Sequence, residues 1–291
     1  MAARYRAAPG AQEHIAGNES AEAYSPSPSV WQHRSVPVHD VAQLGFGTTA
    51  NVYERSRPSY PAEVVAWLVE HCRIAPGTRV CDLAAGTGKL TRLLEPTNAR
   101  LLAVEPVDGM AGLLRRTSPS VPIAAATAEA LPFADRSLDA ITIAQAFHWL
   151  DAEMTLPELQ RVLRPGGRLG LVWNARDRSV DWVDALWSIM DRVEKRAPWR
   201  DHEHWRESTF VAERWFGPLH EATFQHEHVL DADGVVARFA GVSHVAVLSS
   251  AEQDAVFDEV RAVLATHPSI AGQSEFPIPY RVDAYWCERA A

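Results

Sequence analysis

No apolar run in this 291-residue chain approaches the ~20 residues that a bilayer-spanning helix requires, so a membrane protein is not expected. Cysteine is scarce too. Cys72, Cys81 and Cys287 are far apart, odd in number and without C-x-x-C or Cys/His ligand spacing, which argues against a disulfide framework and a zinc module. A reducing cytoplasm is the setting expected from such cysteines, and no secretory signal is read, because Arg4 and Arg6 are not followed by the apolar stretch of about 7–15 residues that makes one. Positive charge is also in short supply. Lys and Arg number 28 against 37 Asp and Glu, a formal net charge of -9, so the attraction to phosphate backbones that nucleic-acid binding rests on is missing. Neither nucleic acid nor membrane is an expected partner, and nothing in the sequence speaks to oligomeric state.

What is present is the balance of an ordinary globular protein, 47% hydrophobic and 22% charged, on a chain long enough to bury about three quarters of its unfolded surface. Residues 1–45 are rich in Ala, Ser and Pro, with Ser25-Pro26-Ser27-Pro28-Ser29 at the centre, and read as a tail or docked arm that Trp31 and Val36 to Val41 could fasten. From Pro61 the pattern turns helical through Val64, Trp67 and Leu68, and Pro76-Gly77 ends it. Arg79 to Leu83 then reads as a strand, Ala84-Ala85-Gly86-Thr87-Gly88 as a turn, and Leu90, Leu93 and Leu94 as the next helix. Strand and helix alternate again through Leu101 to Glu105, Met110 to Arg116, Ala140 to Ala144, Leu156 to Leu163 and Arg168 to Trp173. Such alternation predicts a parallel sheet covered on both faces.

Beyond Asn174 the composition changes, with Trp182, Trp187, Trp199, Trp205 and Trp215 gathered in residues 180–216 and a helical stripe from Val183 to Val193. A strand over Thr223 to Leu230, helices over Val235 to Leu248 and Glu252 to Ala265, and a strand over Pro279 to Cys287 complete the pattern. The tryptophans line an aromatic pocket or are core and lid surface, and core is the simpler reading.

The turn Asp82 to Gly88 falls at the carboxyl edge of the sheet, where open α/β folds bind ligands. Glu105 closes the following strand, at the position from which an acidic side chain reaches both hydroxyls of a ribose. Three ligand classes compete for such a turn. A dinucleotide fingerprint starting at Gly86 needs a small residue where Thr91 stands, and a Walker A loop is excluded by Leu83 and Leu90. Asp82 suits a ligand with an ammonium group and no phosphate, such as S-adenosylmethionine. Capping of nearby backbone N–H groups is the structural alternative for Asp82 and Glu105.

Six segments in order then resemble the class I S-adenosylmethionine-dependent methyltransferases of the bacterial type-11 kind. These are Tyr53 to Pro61 (with Arg57-Pro58 and Tyr60-Pro61), Val80 to Lys89, Val104-Glu105-Pro106, Ala128 to Phe133, Gln145 to Trp149, and Arg161 to Gly167. The resemblance spans residues 46–178 and implies a doubly wound, Rossmann-like, mostly parallel seven-stranded α/β sheet. On it, residues 1–45 form an arm, 46–178 the cofactor-binding core, 179–221 a helical lid and 222–291 the closing strands with further cap helices. It implies further that Ala84, Gly86 and Gly88 pass the methionine part of the cofactor, Glu105 holds the ribose, Pro106 and Met110 flank the adenine, and Ala128 and Glu129 contact its edge. Gln145 and Ala146 would close the floor under the sulfonium, and Tyr53, Arg57 and Tyr60 would cover the cofactor, Arg57 meeting its carboxylate. Ala126, where a Gly often stands, is a harmless departure.

The implied activity is methyl transfer to a small-molecule acceptor, aromatic or a specialised metabolite, by in-line displacement. An acceptor that must lose a proton needs a base, and His148, directly after the fourth strand, is the leading candidate, with a packed, hydrogen-bonded ring as the structural alternative. His244 is a second, substrate-specific candidate and otherwise a helix-face residue. His202-x-His204 and His226-x-His228 lack partners for a metal site, so no metal is expected. A cofactor-binding regulatory protein without turnover and a dinucleotide-dependent oxidoreductase are the alternative functions.

Overall fold

The computed structural model describes residues 54–194 and 214–291. The arm over 1–45, Trp31, Tyr53, His202, His204, Trp199 and Trp205 lie outside the described residues. Seven strands form a single sheet, β1 (Arg79–Leu83), β2 (Arg100–Val104), β3 (Ile123–Ala124), β4 (Leu138–Ala144), β5 (Leu163–Arg176), β6 (His220–Leu230) and β7 (Phe276–Glu288). Their spatial order is β3-β2-β1-β4-β5-β7-β6. The first five pair in parallel, whereas β7 runs antiparallel to both β5 and β6. The chain therefore starts in the middle at β1, winds outward to β3 and returns to β4, which leaves a crevice where the order reverses. The sheet is the mostly parallel, seven-stranded, Rossmann-like sheet expected from the sequence.

Parallel strands buried on both faces need helices on both sides. On one side α1 (Ala62–His71), α2 (Lys89–Leu94) and α3 (Asp108–Thr117) place Val64, Leu68, Leu90, Leu94 and Leu114 in a core with Val80, Ala140 and Val172. Each large aliphatic side chain so buried contributes about 1.5–3 kcal/mol. α1 approaches β5 closely because position 170 is glycine, where a Cβ would come within 2.7 Å of Cys72 Sγ. On the other side α4 (Ala152–Val162) buries Leu156 and Leu159 against Ile141, Ile143 and Leu171. A further core forms where α5 (Asp181–Glu194), α6 (Ala232–Ala240) and α8 (Ser250–Thr266) close over the first half of β7, joining Trp187, Leu186, Phe239 and Val260 to Ile278 and Tyr280. Trp182 and Trp187 are therefore core, and α7 (Ser243–Ala246) is a short connector.

Two local expectations are corrected, and one strand had not been anticipated. The helix anticipated from Leu156 begins one turn earlier, because the Asp151 carboxylate caps the backbone N–H groups of Glu153 and Met154. The helix expected over Val235 to Leu248 breaks at Gly241-Val242 into α6 and α7. β3, two residues long, is too short to leave a periodic signal.

Candidate functional site

The carboxyl ends of β1, β2 and β4 surround a cleft of about 1130 Å³, counted with its open mouth. The turn after β1 is its near wall. At Gly88, with φ of 85°, a Cβ would lie 2.2 Å from Leu114 Cδ1, so this glycine is demanded by the packing of α2 on α3. At Gly86, with φ of 58°, a Cβ would meet nothing within 4 Å, so the space beside it is open to a ligand. Ala84 and Gln145 also take left-handed backbone, with φ of 53° and 59°, at the ends of β1 and β4, and both line the cleft. Non-glycine residues in that region cost about 1–2 kcal/mol each, and such strain gathers at functional sites.

Glu105 follows β2 and is only 5% exposed. Its carboxylate accepts the Gly86 N–H through Oε2 and the Val107 N–H through Oε1, both at 2.8 Å. Each oxygen keeps a lone pair for a second donor. Burial pushes its pKa up to about 7 against the pull of those two N–H groups. Asp82 is fully buried beneath the turn and does not line the cleft. Its oxygens are taken by the Thr91 hydroxyl at 2.5 Å and the Thr142 hydroxyl at 3.1 Å, and burial lifts its pKa to about 6. The ligand-contacting role expected of Asp82 is thus replaced by an internal one, tying α2 and β4 to β1. Thr91, which spoils the dinucleotide pattern, is the residue that makes this tie.

Of the other expected cofactor residues, Tyr60, Pro106, Met110, Ala128, Glu129 and Ala146 join Ala84, Gly86, Glu105 and Gln145 around the cleft. Gly88 does not line it. Arg57 does not either; it lies in a neighbouring chamber and donates from Nη2 to the Gly241 carbonyl at 3.0 Å. The segment before α1 is braced on the turn by Glu54, which receives the Thr87 hydroxyl and Arg92 and lies 3.5 Å from Lys89 Nζ.

His148, the catalytic candidate, does not line the cleft. Its ring centroid lies 5.2 Å from that of the cleft-lining Trp149, and Nδ1 accepts the Trp173 indole N–H at 3.2 Å. The side chain of His244 lies outside the described residues. Among the described residues no group of three His, Cys, Asp or Glu could hold a metal ion. Sequence reasoning gave no lining role to Lys89, Trp149 or Leu150, although the first two end segments that had been singled out and the third follows directly on one of them.

Both the sequence and the fold have known relatives. A model described as "Methyltransferase domain" matches residues 81–171. An uncharacterized methyltransferase of Mycobacterium tuberculosis is 38% identical over 237 residues, covering 81% of this chain and 92% of that protein. The chain belongs to the class I S-adenosylmethionine-dependent methyltransferase family. Among solved structures, a protein of Anaeromyxobacter dehalogenans described as a type II methyltransferase shares the fold of this methyltransferase at 24% identity and a TM-score of 0.55, over 80% of this chain and 96% of that one. A phosphoethanolamine N-methyltransferase of Haemonchus contortus, solved with phosphomonomethylethanolamine and S-adenosylhomocysteine, does so at 14% identity and a TM-score of 0.55, over 88% of this chain and 61% of that one.

Proposed function

We propose that this methyltransferase binds S-adenosylmethionine in the β1/β4 crevice and transfers its methyl group to a small-molecule acceptor. The observation that carries the reading is Glu105, buried at the end of β2, tied to the glycine turn and left with acceptor capacity toward the cleft. A ribose presents two neighbouring hydroxyl donors to such a carboxylate. The open face at Gly86 admits a chain running along the turn, and Pro106, Met110 and Ala128 give the cleft apolar surface suited to a planar base. The residues fit the cofactor.

When bound, the cofactor supplies an electrophilic methyl on a sulfonium whose positive charge disperses during displacement. The protein's part is alignment and exclusion of water. Gln145, held in its strained backbone and donating from Nε2 to the Asn174 carbonyl at 3.3 Å, fixes the floor, and Tyr60 and Trp149 supply aromatic walls. No histidine lines the cleft among the described residues; Tyr60, Lys89 and Glu129 are the titratable side chains there besides Glu105, and any base for an acceptor that must lose a proton would come from them. The acidic chain favours metabolites over nucleic acids, and among the described residues no helix is long and apolar enough to cross a membrane.

Calorimetric titration with S-adenosylhomocysteine and with NADH tests the reading. Binding of the sulfur ligand alone, weakened in Glu105→Ala, supports it, and screening acceptors for a methyl mass gain follows. Tight NADH binding, or sulfur-ligand binding indifferent to Glu105, sinks it.

A further inference from the structure

Behind the cleft, and sharing Tyr60, Lys89 and Gln145 with it, lies a chamber of about 400 Å³. Arg57, Arg176 and Arg238 project into it, and among the described residues no carboxylate does. The chamber is built rather than accidental. Arg176 on β5 and Tyr280 on β7 are direct cross-strand partners, so their side chains share one face of the sheet. Arg238 comes from α6, and the buried Trp187 ring lies 5.1 Å from the Arg176 guanidinium and 5.9 Å from that of Arg238. An aromatic face holds a guanidinium in place without neutralising it.

Two of these groups are unsatisfied. Arg238 is 3% exposed, and its Nε and Nη1 have no hydrogen-bond partner; Tyr280 is 1% exposed, and its hydroxyl has none either. Burying donors, one of them charged, without acceptors costs several kcal/mol that folding alone does not return. The missing partner is an acceptor of negative charge that fits a guanidinium fork and a phenolic O–H together, which is what a carboxylate or a phosphate offers. The surroundings agree. His228 on β6 is held neutral, its pKa pushed down to about 4 first by burial and then by the positive charges of Lys89 and Arg238.

Resting on the cofactor reading above, we propose that this chamber, through Arg238, Tyr280 and Arg176, holds a carboxylate or phosphate group of the methyl acceptor. Because the chamber meets the cleft at Tyr60, Lys89 and Gln145, an acceptor anchored there by its anion extends its other end toward the floor of the cofactor site. The acceptor class is therefore a small anionic metabolite.

The test is calorimetry with malonate and, separately, inorganic phosphate on wild type, Arg238→Gln and Tyr280→Phe, each free and saturated with S-adenosylhomocysteine. At least one anion should bind wild type, at least tenfold more weakly to Arg238→Gln and about threefold more weakly to Tyr280→Phe, with affinity for S-adenosylhomocysteine kept within twofold. Malonate binding identifies a carboxylate anchor and phosphate binding a phosphate anchor. If neither anion binds wild type, or if Arg238→Gln loses tenfold or more in affinity for S-adenosylhomocysteine, the proposal falls; the second result would assign the chamber to the cofactor's own carboxylate. Failure of wild type to bind S-adenosylhomocysteine counts against the cofactor reading alone, and Arg238-dependent anion binding to the free protein would still uphold the chamber. Tyr280→Phe, which removes a single hydroxyl, keeps the test valid if Arg238→Gln does not fold.

Discussion

The indole N–H of Trp173 donates to Nδ1 of His148 at 3.2 Å, which fixes the neutral ring as the Nε2–H tautomer and occupies the nitrogen that a base would use. We expect His148→Asn to lower kcat by less than about tenfold, within the low end of general acid–base contributions. A loss of a hundredfold or more, together with disappearance of an acidic limb from the pH–rate profile, would return His148 to the chemistry.

Affinity for the cofactor should depend on pH through Glu105. The free-protein carboxyl titrates at about 7 because it is buried, and ribose hydroxyls need the ionised form as acceptor. Binding is therefore strongest above pH 7 and weakens on acidification, by up to tenfold per unit well below that value. Calorimetry with S-adenosylhomocysteine between pH 8 and pH 5.5 measures the slope. Glu105→Gln should bind weakly at every pH, and a wild-type slope that persists in this variant would assign the titration elsewhere.

Gly86 and Gly88 should separate binding from folding. Alanine at 88 meets Leu114 at 2.2 Å and keeps a φ of 85°, so it should cost about 2–3 kcal/mol and lower Tm by roughly 4–8 °C. Alanine at 86 meets no atom, should cost about 1 kcal/mol from its φ of 58°, and should instead reduce affinity for S-adenosylhomocysteine by tenfold or more. Scanning calorimetry beside ligand titration reads both, and equal Tm losses would contradict the assignment.

Arg238→Met should make the free protein more stable. An unpartnered buried guanidinium replaced by an apolar side chain of similar length should gain about 1–2 kcal/mol, or roughly 2–4 °C in Tm for a chain of this size. Such gains at the expense of binding are the usual trade at functional sites. A lower Tm would mean that the guanidinium serves the fold.

The cofactor half was legible because its signals are local. A strand, a glycine turn and a helix follow one another directly, and Glu105 comes directly after the very next strand, so neighbours in sequence are neighbours in space. Asp82 misled for a related reason: spacing places it next to the turn but does not say that Thr91 and Thr142 take both its oxygens. The arginine chamber left no sequence signal. Arg176, Arg238 and Tyr280 belong to three elements, and they meet through the antiparallel register of β5 with β7 and the docking of α6, which no short-range period encodes.

The position of β7 bears on how the protein is made. It leaves the ribosome after every other strand, yet it belongs between β5 and β6. Until Phe276–Glu288 has emerged, β6 has no partner and β5 presents a bare edge, the kind of surface that invites pairing between nascent chains. The cofactor crevice, bounded by β1, β2 and β4, can be complete while translation continues; Arg176 meanwhile lacks Tyr280 across from it. A growing chain would thus gain its grip on the methyl donor before its grip on the acceptor, and chaperone protection would matter most in the interval between the two.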